Sequence, residues 1–317
     1  MIKLSVIIPI YNVSHYLERC VISLMEQTIR EGIEYIFIDD CSIDDSARIL
    51  YEVLSRYPQR TEQVTVLRNT QNEGLGSVRA QGIRQAKGAY ITHCDSDDWV
   101  EPHAYEAICH AVEQSHSDII VNDFFLEQET ATHTICYPRQ SISERLENGH
   151  WWMQWSHTVR RSLLSEYDIT TIPGINYWED MDYLMRVYHY AFSISYIHQP
   201  LYHYNQQNSD SLSRNHKSLA LLPSCRRVID HLSQFYLAQH SDPPARLLAL
   251  QQYTRDLYLQ ASPIDWSSWQ KLYPQSWRYL WHDPQFKVAY RLTYTLASWG
   301  WLWPFRCYLN LAHRKAR

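Results

Sequence analysis

Glycine is scarce in this chain, with eight residues in 317, and four of them (Gly74, Gly76, Gly82 and Gly88) fall in one short stretch. Glycine collects where backbone comes close to a ligand or to another element, so that stretch is marked for tight approach before any motif is considered. Cysteine excludes by its pattern. Cys20, Cys41, Cys94, Cys109, Cys136, Cys225 and Cys307 are odd in number, dispersed and never in a C-x-x-C pair. This excludes a zinc ribbon or a disulfide framework and suits a reducing cytoplasm. Residues 1–11 are largely apolar but too short for the core of a secretory signal, and Tyr11-Asn12 interrupts them, so no export is expected. There is no internal repeat and no Gly/Ser-rich or Pro-rich linker. A formal net charge of -5, with no basic stripe in the main body, argues against a nucleic-acid partner.

What is present is an ordinary folded composition, 45% hydrophobic and 20% charged. From residue 4 to 122, short β-branched runs alternate with helical stripes, the pattern of a mostly parallel sheet flanked by helices. Strands are predicted at 4–10, 35–38, 64–67, 90–93 and 118–121. The first helix is expected to be capped by Ser14 and to bury Leu17, Val21, Leu24 and Met25; the second starts near Ser46 and turns Leu50, Leu54 and Tyr57 inward. A third spans about 78–86, and Pro102 opens a fourth. In open α/β sheets ligands bind beyond the carboxyl ends of the strands. Tyr11-Asn12, Asp39-Asp40 and the acidic run Asp95-Ser96-Asp97-Asp98 all fall on that rim.

Read as an extended segment, Asp95 and Asp97 aim carboxylates at one point while Ser96 and Asp98 face elsewhere. A carboxylate pair with room for water and phosphate oxygens suits Mg²⁺ or Mn²⁺ and not zinc.

Five strings lie in register: Pro9-Ile10-Tyr11-Asn12, Ile38-Asp39-Asp40-Cys41-Ser42, Asn72-Glu73-Gly74, Lys87-Gly88-Ala89-Tyr90-Ile91 and Asp95-Ser96-Asp97-Asp98. Together they resemble glycosyltransferase family 2 over residues 4 to about 214. The resemblance implies a GT-A (Rossmann-like) α/β fold, a divalent cation (Mn²⁺ or Mg²⁺), and inverting transfer from a nucleotide diphosphate sugar, usually a UDP-sugar, to an acceptor hydroxyl. It implies that Asp95 and Asp97 hold the metal, that Asp40 accepts a hydrogen bond from the base, that Pro9 and Tyr11 line base and ribose, and that Arg79 contacts the nucleotide or its phosphates. Family members often carry glycine where Cys41 stands; because a small residue is kept, the departure is expected to cost little. Trp178-Glu179-Asp180-Met181-Asp182 resembles the family's E-D motif, which makes Asp180 the general base. The stripe Met181, Leu184, Met185 and Tyr188 starts a helix there, whose dipole is expected to keep Asp180 ionised. His203 is weighed as a further metal contact and set aside as an ordinary histidine, and Ser156-His157-Thr158 departs from the family's usual Asn-Lys-Leu.

The expected organisation is a catalytic domain at 1–214, with a nucleotide part at 1–122 and an acceptor side at 123–214, then a mostly helical, aromatic-rich region at 215–317. Eleven of the twelve tryptophans follow His150, and no acidic residue follows Asp283. The uncharged run 292–305 is too short to span a bilayer and is interrupted by Gly300 and Pro304; it reads either as an interfacial helix, which would hold the enzyme at the inner face of an anionic membrane beside a saccharide or lipid-linked saccharide acceptor, or equally as a terminal helix packing its tryptophans on the body. The product class is then cell-surface polysaccharide or glycolipid. Two other readings share these features: a non-catalytic nucleotide-sugar-binding or partner protein, and a GT-A-like sugar nucleotidyltransferase. The latter should carry an early Gly-rich basic loop where this chain has Pro9-Ile10-Tyr11-Asn12.

Overall fold

Strand β1 (Leu4–Ile10) is buried at every position, as a strand covered on both faces must be. A computed structural model describes residues 2–150, 152–208, 219–260, 263–282 and 286–315. After β1 come α1 (Ser14–Met25), β2 (Ile33–Asp39), α2 (Ser46–Ser55), β3 (Val64–Arg68), α3 (Leu75–Gln85) and β4 (Tyr90–His93). These strands lie side by side in the order β3-β2-β1-β4, all parallel. Then follow β5 (Trp99–Val100), α4 (Ala104–Ser115), β6 (Ile119–Glu127), β7 (Thr132–Ile135), α5 (Ile142–Asn148), β8 (His157–Arg160), α6 (Arg161–Glu166), α7 (Glu179–Tyr190) and β9 (Ile194–Asn205). Beyond β4 the sheet becomes mixed. Strand β8 runs antiparallel to β4 and β6, β6 is parallel to β9, and β5 and β7 join antiparallel to β9 and β6, giving nine strands in one sheet.

Residues Met1–Arg145 and His150–Arg214 form one compact unit; Leu146–Gly149 and Asn215–Arg317 form a second. The second contains α8 (Leu222–Ala238), α9 (Ala245–Tyr258), α10 (Trp266–Lys271), α11 (Trp277–His282), α12 (Val288–Ser298) and α13 (Leu302–Lys315). Its core is aromatic: Trp269, Tyr294 and Phe305 are fully buried with Leu280 and Ala297. The Arg255 guanidinium lies 4.0 Å over the Trp269 ring. Among the described residues no helix is long and apolar enough to cross a membrane.

Several local expectations need correction. Ser14 is the first residue of α1 and makes no side-chain cap. The free amides there are satisfied from the next crossover: Val13 N donates to Ser46 Oγ at 2.9 Å and Ser14 N to Asp44 Oδ2 at 3.0 Å. A distant loop thus does the work of a local cap. On α2, Val53 is fully buried while Leu54 and Tyr57 are only half-buried. Helix α4 begins at Ala104 and not at Pro102. The glycine stretch serves packing: a Cβ on Gly82 would lie 2.3 Å from Ile7 Cγ2 of β1, and one on Gly76 2.3 Å from the carbonyl oxygen of Ile172.

Cys41 sits at φ 63, in the left-handed region, in the turn between β2 and α2. Backbone conformation, and not side-chain size, is therefore what glycine would supply there. A non-glycine residue costs roughly 1–2 kcal/mol in that conformation, offset in part by glycine's larger entropy when unfolded. Cys41→Gly is expected to raise stability by about 0.5–1 kcal/mol, read as a higher urea midpoint at unchanged m-value. An unchanged or lowered midpoint contradicts this account.

Candidate active site

The carboxyl ends of β1, β2 and β4 open on a cavity of about 700 Å³. All seven residues singled out from the sequence line it: Pro9, Tyr11, Asp40, Arg79, Asp95, Asp97 and Asp180. They come from the ends of three strands, from α3 and from the first turn of α7.

At its centre is Arg79, one side of a bridge rather than a free cation. Its Nη2 donates to Asp95 Oδ1 and its Nη1 to Glu179 Oε1, each at 2.6 Å, and its side chain is only 3% exposed. Burial alone would lower its pKa; the carboxylates of Asp95 and Glu179 outweigh that and raise it. Arg79 therefore joins the end of β4 to the start of α7, and its Glu179 partner lies 100 residues further along the chain than Arg79 itself.

The acidic run is not extended. Asp98 N donates to the Asp95 carbonyl at 3.1 Å, closing a turn around Ser96 and Asp97. The turn still delivers Asp95 and Asp97 to the cavity, while Asp98 is buried behind it. Asp98 accepts from the Tyr202 hydroxyl at 2.6 Å and from Asn205 N at 2.7 Å, so β9 clamps the loop from below. Asp97 Oδ2 accepts from Asn208 Nδ2 at 2.8 Å. Burial, with the neighbouring Asp95 charge, pushes Asp97 up to about 6. Asp97, whose ionisation is opposed by burial and by the Asp95 charge, and Asp95 beside it in the same turn offer hard oxygens that fit a divalent cation, which would favour the charged form of Asp97 and leave positions for phosphate and water. Among the described residues no cluster of three or more His, Cys, Asp or Glu is arranged for a metal, so any such ion rests on this pair and on the donor.

Asp180 lies in the first turn of α7, as its sequence position indicates, but the expected effect of the helix dipole is reversed. Burial first, then the adjacent Glu179 charge, pushes Asp180 up to about 8. A dipole contributes at most ~2 kcal/mol in partly buried sites, and desolvation exceeds it here. The segment before α7 is tied to α3: Gly76 N donates to the Ile175 carbonyl at 3.0 Å and Leu75 N to Asn176 Oδ1 at 2.8 Å. Trp178 holds φ 64 at the N-terminus of α7, and its ring stacks on Tyr177 at 5.5 Å; both line the cavity.

Asp40 differs from expectation in its surroundings. Its Oδ1 accepts from Asn69 Nδ2 at 2.7 Å and Glu73 N at 2.9 Å, and its Oδ2 from Gly74 N at 2.8 Å and Glu73 N at 3.1 Å. A carboxylate offers about four acceptor positions, so this one is filled by Asn69 and by the backbone amides of Glu73 and Gly74 that it anchors. Tyr11 is 48% exposed at the cavity mouth and Pro9 is buried in its floor.

His203 does not face this cavity. Its Nε2 lies 2.8 Å from Glu101 Oε1 and its Nδ1 2.8 Å from Glu127 Oε1, with the ring stacked between Trp99 and Phe125. Ser156, His157 and Thr158 are buried and pack inward, the first two bonding Tyr137 and Tyr188. Ser209, Ser211 and Arg214, which with residues 200–204 resemble the segment that often closes this domain in bacterial members of the family, lie outside the described residues. Asn205 and Asn208, which the sequence did not single out, brace the acidic turn together with Tyr202, which the sequence marks only as part of that 200–204 string, and Trp155 stacks on Tyr202 at 4.2 Å. The string Tyr202-His203-Tyr204-Asn205 was the available signal, since alternate residues share a strand face.

Residues 5–163 match the family model described as glycosyl transferase family 2. Two Bacillus subtilis (strain 168) proteins named as glycosyltransferases are similar: EpsJ, 27% identical over 248 residues covering 74% of this chain and 68% of EpsJ, and EpsH, 30% identical over 227 residues covering 68% of this chain and 64% of EpsH. Among solved structures, S. aureus TarS 1-349 in complex with UDP-GlcNAc superposes with a TM-score of 0.71 at 18% identity, covering 100% of this chain and 93% of that one. The likeness to TarS shows the fold, and the family match spans half the chain, including β1 to β4 with Asp40, Arg79, Asp95 and Asp97: the chain belongs to glycosyltransferase family 2.

Proposed function

We propose that this chain transfers a hexosyl or hexosaminyl group from a UDP-sugar to an acceptor hydroxyl with inversion, in the assembly of a cell-surface polysaccharide or glycolipid on the cytoplasmic side. One observation carries the reading: a single cavity is lined on one side by Asp95 and Asp97 and on another by Asp180, with Arg79 fastening the two sides together. The similarity to TarS, solved with UDP-GlcNAc, supports the donor class.

The donor's base and ribose lie between Tyr11 and the 72–74 segment that Asp40 fixes. Asp95 and Asp97 hold Mn²⁺ or Mg²⁺, which supplies charge neutralisation for the leaving diphosphate. On the opposite side Asp180 removes the acceptor hydroxyl proton as the oxygen–carbon bond forms at the anomeric carbon and the carbon–oxygen bond to diphosphate breaks. One displacement inverts the centre and leaves nucleoside diphosphate, with the proton on Asp180. Its raised pKa makes Asp180 a stronger base near neutrality than an ordinary carboxylate. The stacked rings of Tyr177 and Trp178, beside Asp180, present an apolar face against which an acceptor sugar can lie.

Asp180→Asn is expected to lower kcat by about 10²–10⁴-fold while UDP-sugar binding, measured calorimetrically with Mn²⁺ present, stays within twofold. Undiminished turnover removes the base assignment. Asn208→Ala withdraws a hydrogen bond from Asp97 and is expected to raise the half-saturating Mn²⁺ concentration by about 10–100-fold, whereas Asp180→Asn leaves it unchanged. A matching shift in both variants, or in neither, refutes the division of labour. The base acts only when ionised, and its pKa is raised, so activity grows with pH. At saturating Mn²⁺, kcat/KM should climb with an acid limb well above the ordinary carboxylate range and at or below about 8, because a bound cation can only lower it. A limb between 4 and 5, in the range of ordinary carboxylates, is the contrary result.

A further inference from the structure

The second unit keeps an apolar face that its own core does not use. On α12, Tyr294 and Ala297 are fully buried in the aromatic core. On the opposite side Val288, Leu292 and Trp299 are 62%, 49% and 64% exposed. At about 100° per residue these three fall within an arc of roughly 40°, a stripe pointing away from the core. Trp281, 42% exposed, lies against the same stripe through its Nε1 bond to Thr295 Oγ1 at 3.1 Å.

The stripe ends at a fixed turn. Gly300 takes φ 107, Trp301 N donates to the Leu296 carbonyl at 2.9 Å and Gly300 N to the Ala297 carbonyl at 3.1 Å, the pattern of a glycine-terminated helix. The interruption expected at Gly300 is where α12 and α13 meet in a tip, while Pro304 falls inside α13. Trp299, Trp301 and Trp303 crowd that tip, and the latter two are 70% and 75% exposed. A soluble surface rarely leaves such a cluster of large rings uncovered without a partner for it.

The charge selects the partner. Beyond Asp283 the chain has no acidic residue, while Lys287 opens α12 and Arg291 and Arg306 follow on the same two helices. Lys287 and Arg306 are exposed. Pairing this face with a second copy would oppose like charges. An anionic bilayer surface offers negative headgroups to the cations and the interfacial zone to indole rings, which prefer that zone to either water or hydrocarbon.

We propose that the α12–α13 tip is a docking surface for an anionic membrane, with Trp299, Trp301 and Trp303 inserted at the headgroup boundary and Lys287 and Arg306 against lipid phosphate. The surface lies outside the cavity residues, so its failure leaves the catalytic reading intact. The test is co-sedimentation of the full chain with vesicles of phosphatidylcholine alone or with phosphatidylglycerol as about one third of the lipid. Expected is at least about tenfold tighter binding to the anionic vesicles, weakened when salt rises from ~0.1 to ~0.5 M. The variant Trp299→Ser/Trp301→Ser/Trp303→Ser should lose it by tenfold or more, and Lys287→Glu/Arg306→Glu should lose the preference for anionic lipid, both with unchanged thermal midpoint. The proposal is overturned if the wild-type chain stays in the supernatant with both vesicles, or if the tryptophan variant pellets as well as wild type. It is equally overturned if light scattering without lipid finds a dimer that the tryptophan variant dissociates, since a second copy then occupies the face.

Discussion

A buried guanidinium between two carboxylates holds this site together. Arg79 is almost wholly removed from water, and only its short contacts with Asp95 and Glu179 compensate. Removing one partner of such a buried group typically costs about 3–5 kcal/mol, because the remaining charge is left desolvated. The bridge also fixes geometry. Asp95 follows β4 and Glu179 begins α7, so the ion pair sets the spacing between the strand rim and the helix that carries Asp180.

The same bridge leaves the cavity short of positive charge. Asp95, Asp97, Glu179 and Asp180 line it with Arg79 as the buried cation among them. Burial raises the pKa of Asp97, Glu179 and Asp180 together, and each neighbouring carboxylate adds to the effect. Such an arrangement is unfavourable for the empty protein and becomes favourable once a cation and a proton donor enter. Strain of this electrostatic kind is expected where ligands complete a site.

The parallel half of the sheet was legible because its strands are continuous apolar runs followed by turn acids, and β1 and β4 fall where periodicity places them. The rim was legible for the same reason. The mixed half was not: β9 runs twelve residues, most of them partly buried with no regular alternation, and contains Pro200, near register shifts in its pairing with β6, so neither a clean alternation nor an apolar run marks it. Partners distant in sequence were equally hidden. Nothing local reveals that Arg79 reaches Glu179, that Asp40 is filled by Asn69, Glu73 and Gly74, or that His203 lies between Glu101 and Glu127. Burial was the other missing quantity. The position of Asp180 in a first helical turn can be read from Met181, Leu184, Met185 and Tyr188, but the desolvation that overrides the dipole depends on tertiary packing. In the second unit, apolar residues occur on both sides of α12, and only the structure distinguishes the side that holds Tyr294 and Ala297 from the side that leaves Trp299 exposed.

Asp97 and Asp180 are raised by the same first cause, burial, yet what relieves each differs. Asp97 lies beside Asp95 in a turn braced by Asp98, Tyr202 and Asn205, so a cation placed between the two aspartates answers both charges at once. Asp180 has Glu179 as its neighbour, and Glu179 already spends its charge on Arg79. The relief open to Asp180 is a proton. In the proposed mechanism two carboxylates raised by one physical effect would therefore diverge in chemistry according to their nearest neighbour, one toward metal and one toward an acceptor hydroxyl, with Arg79 bridging the elements that carry them into a single cavity.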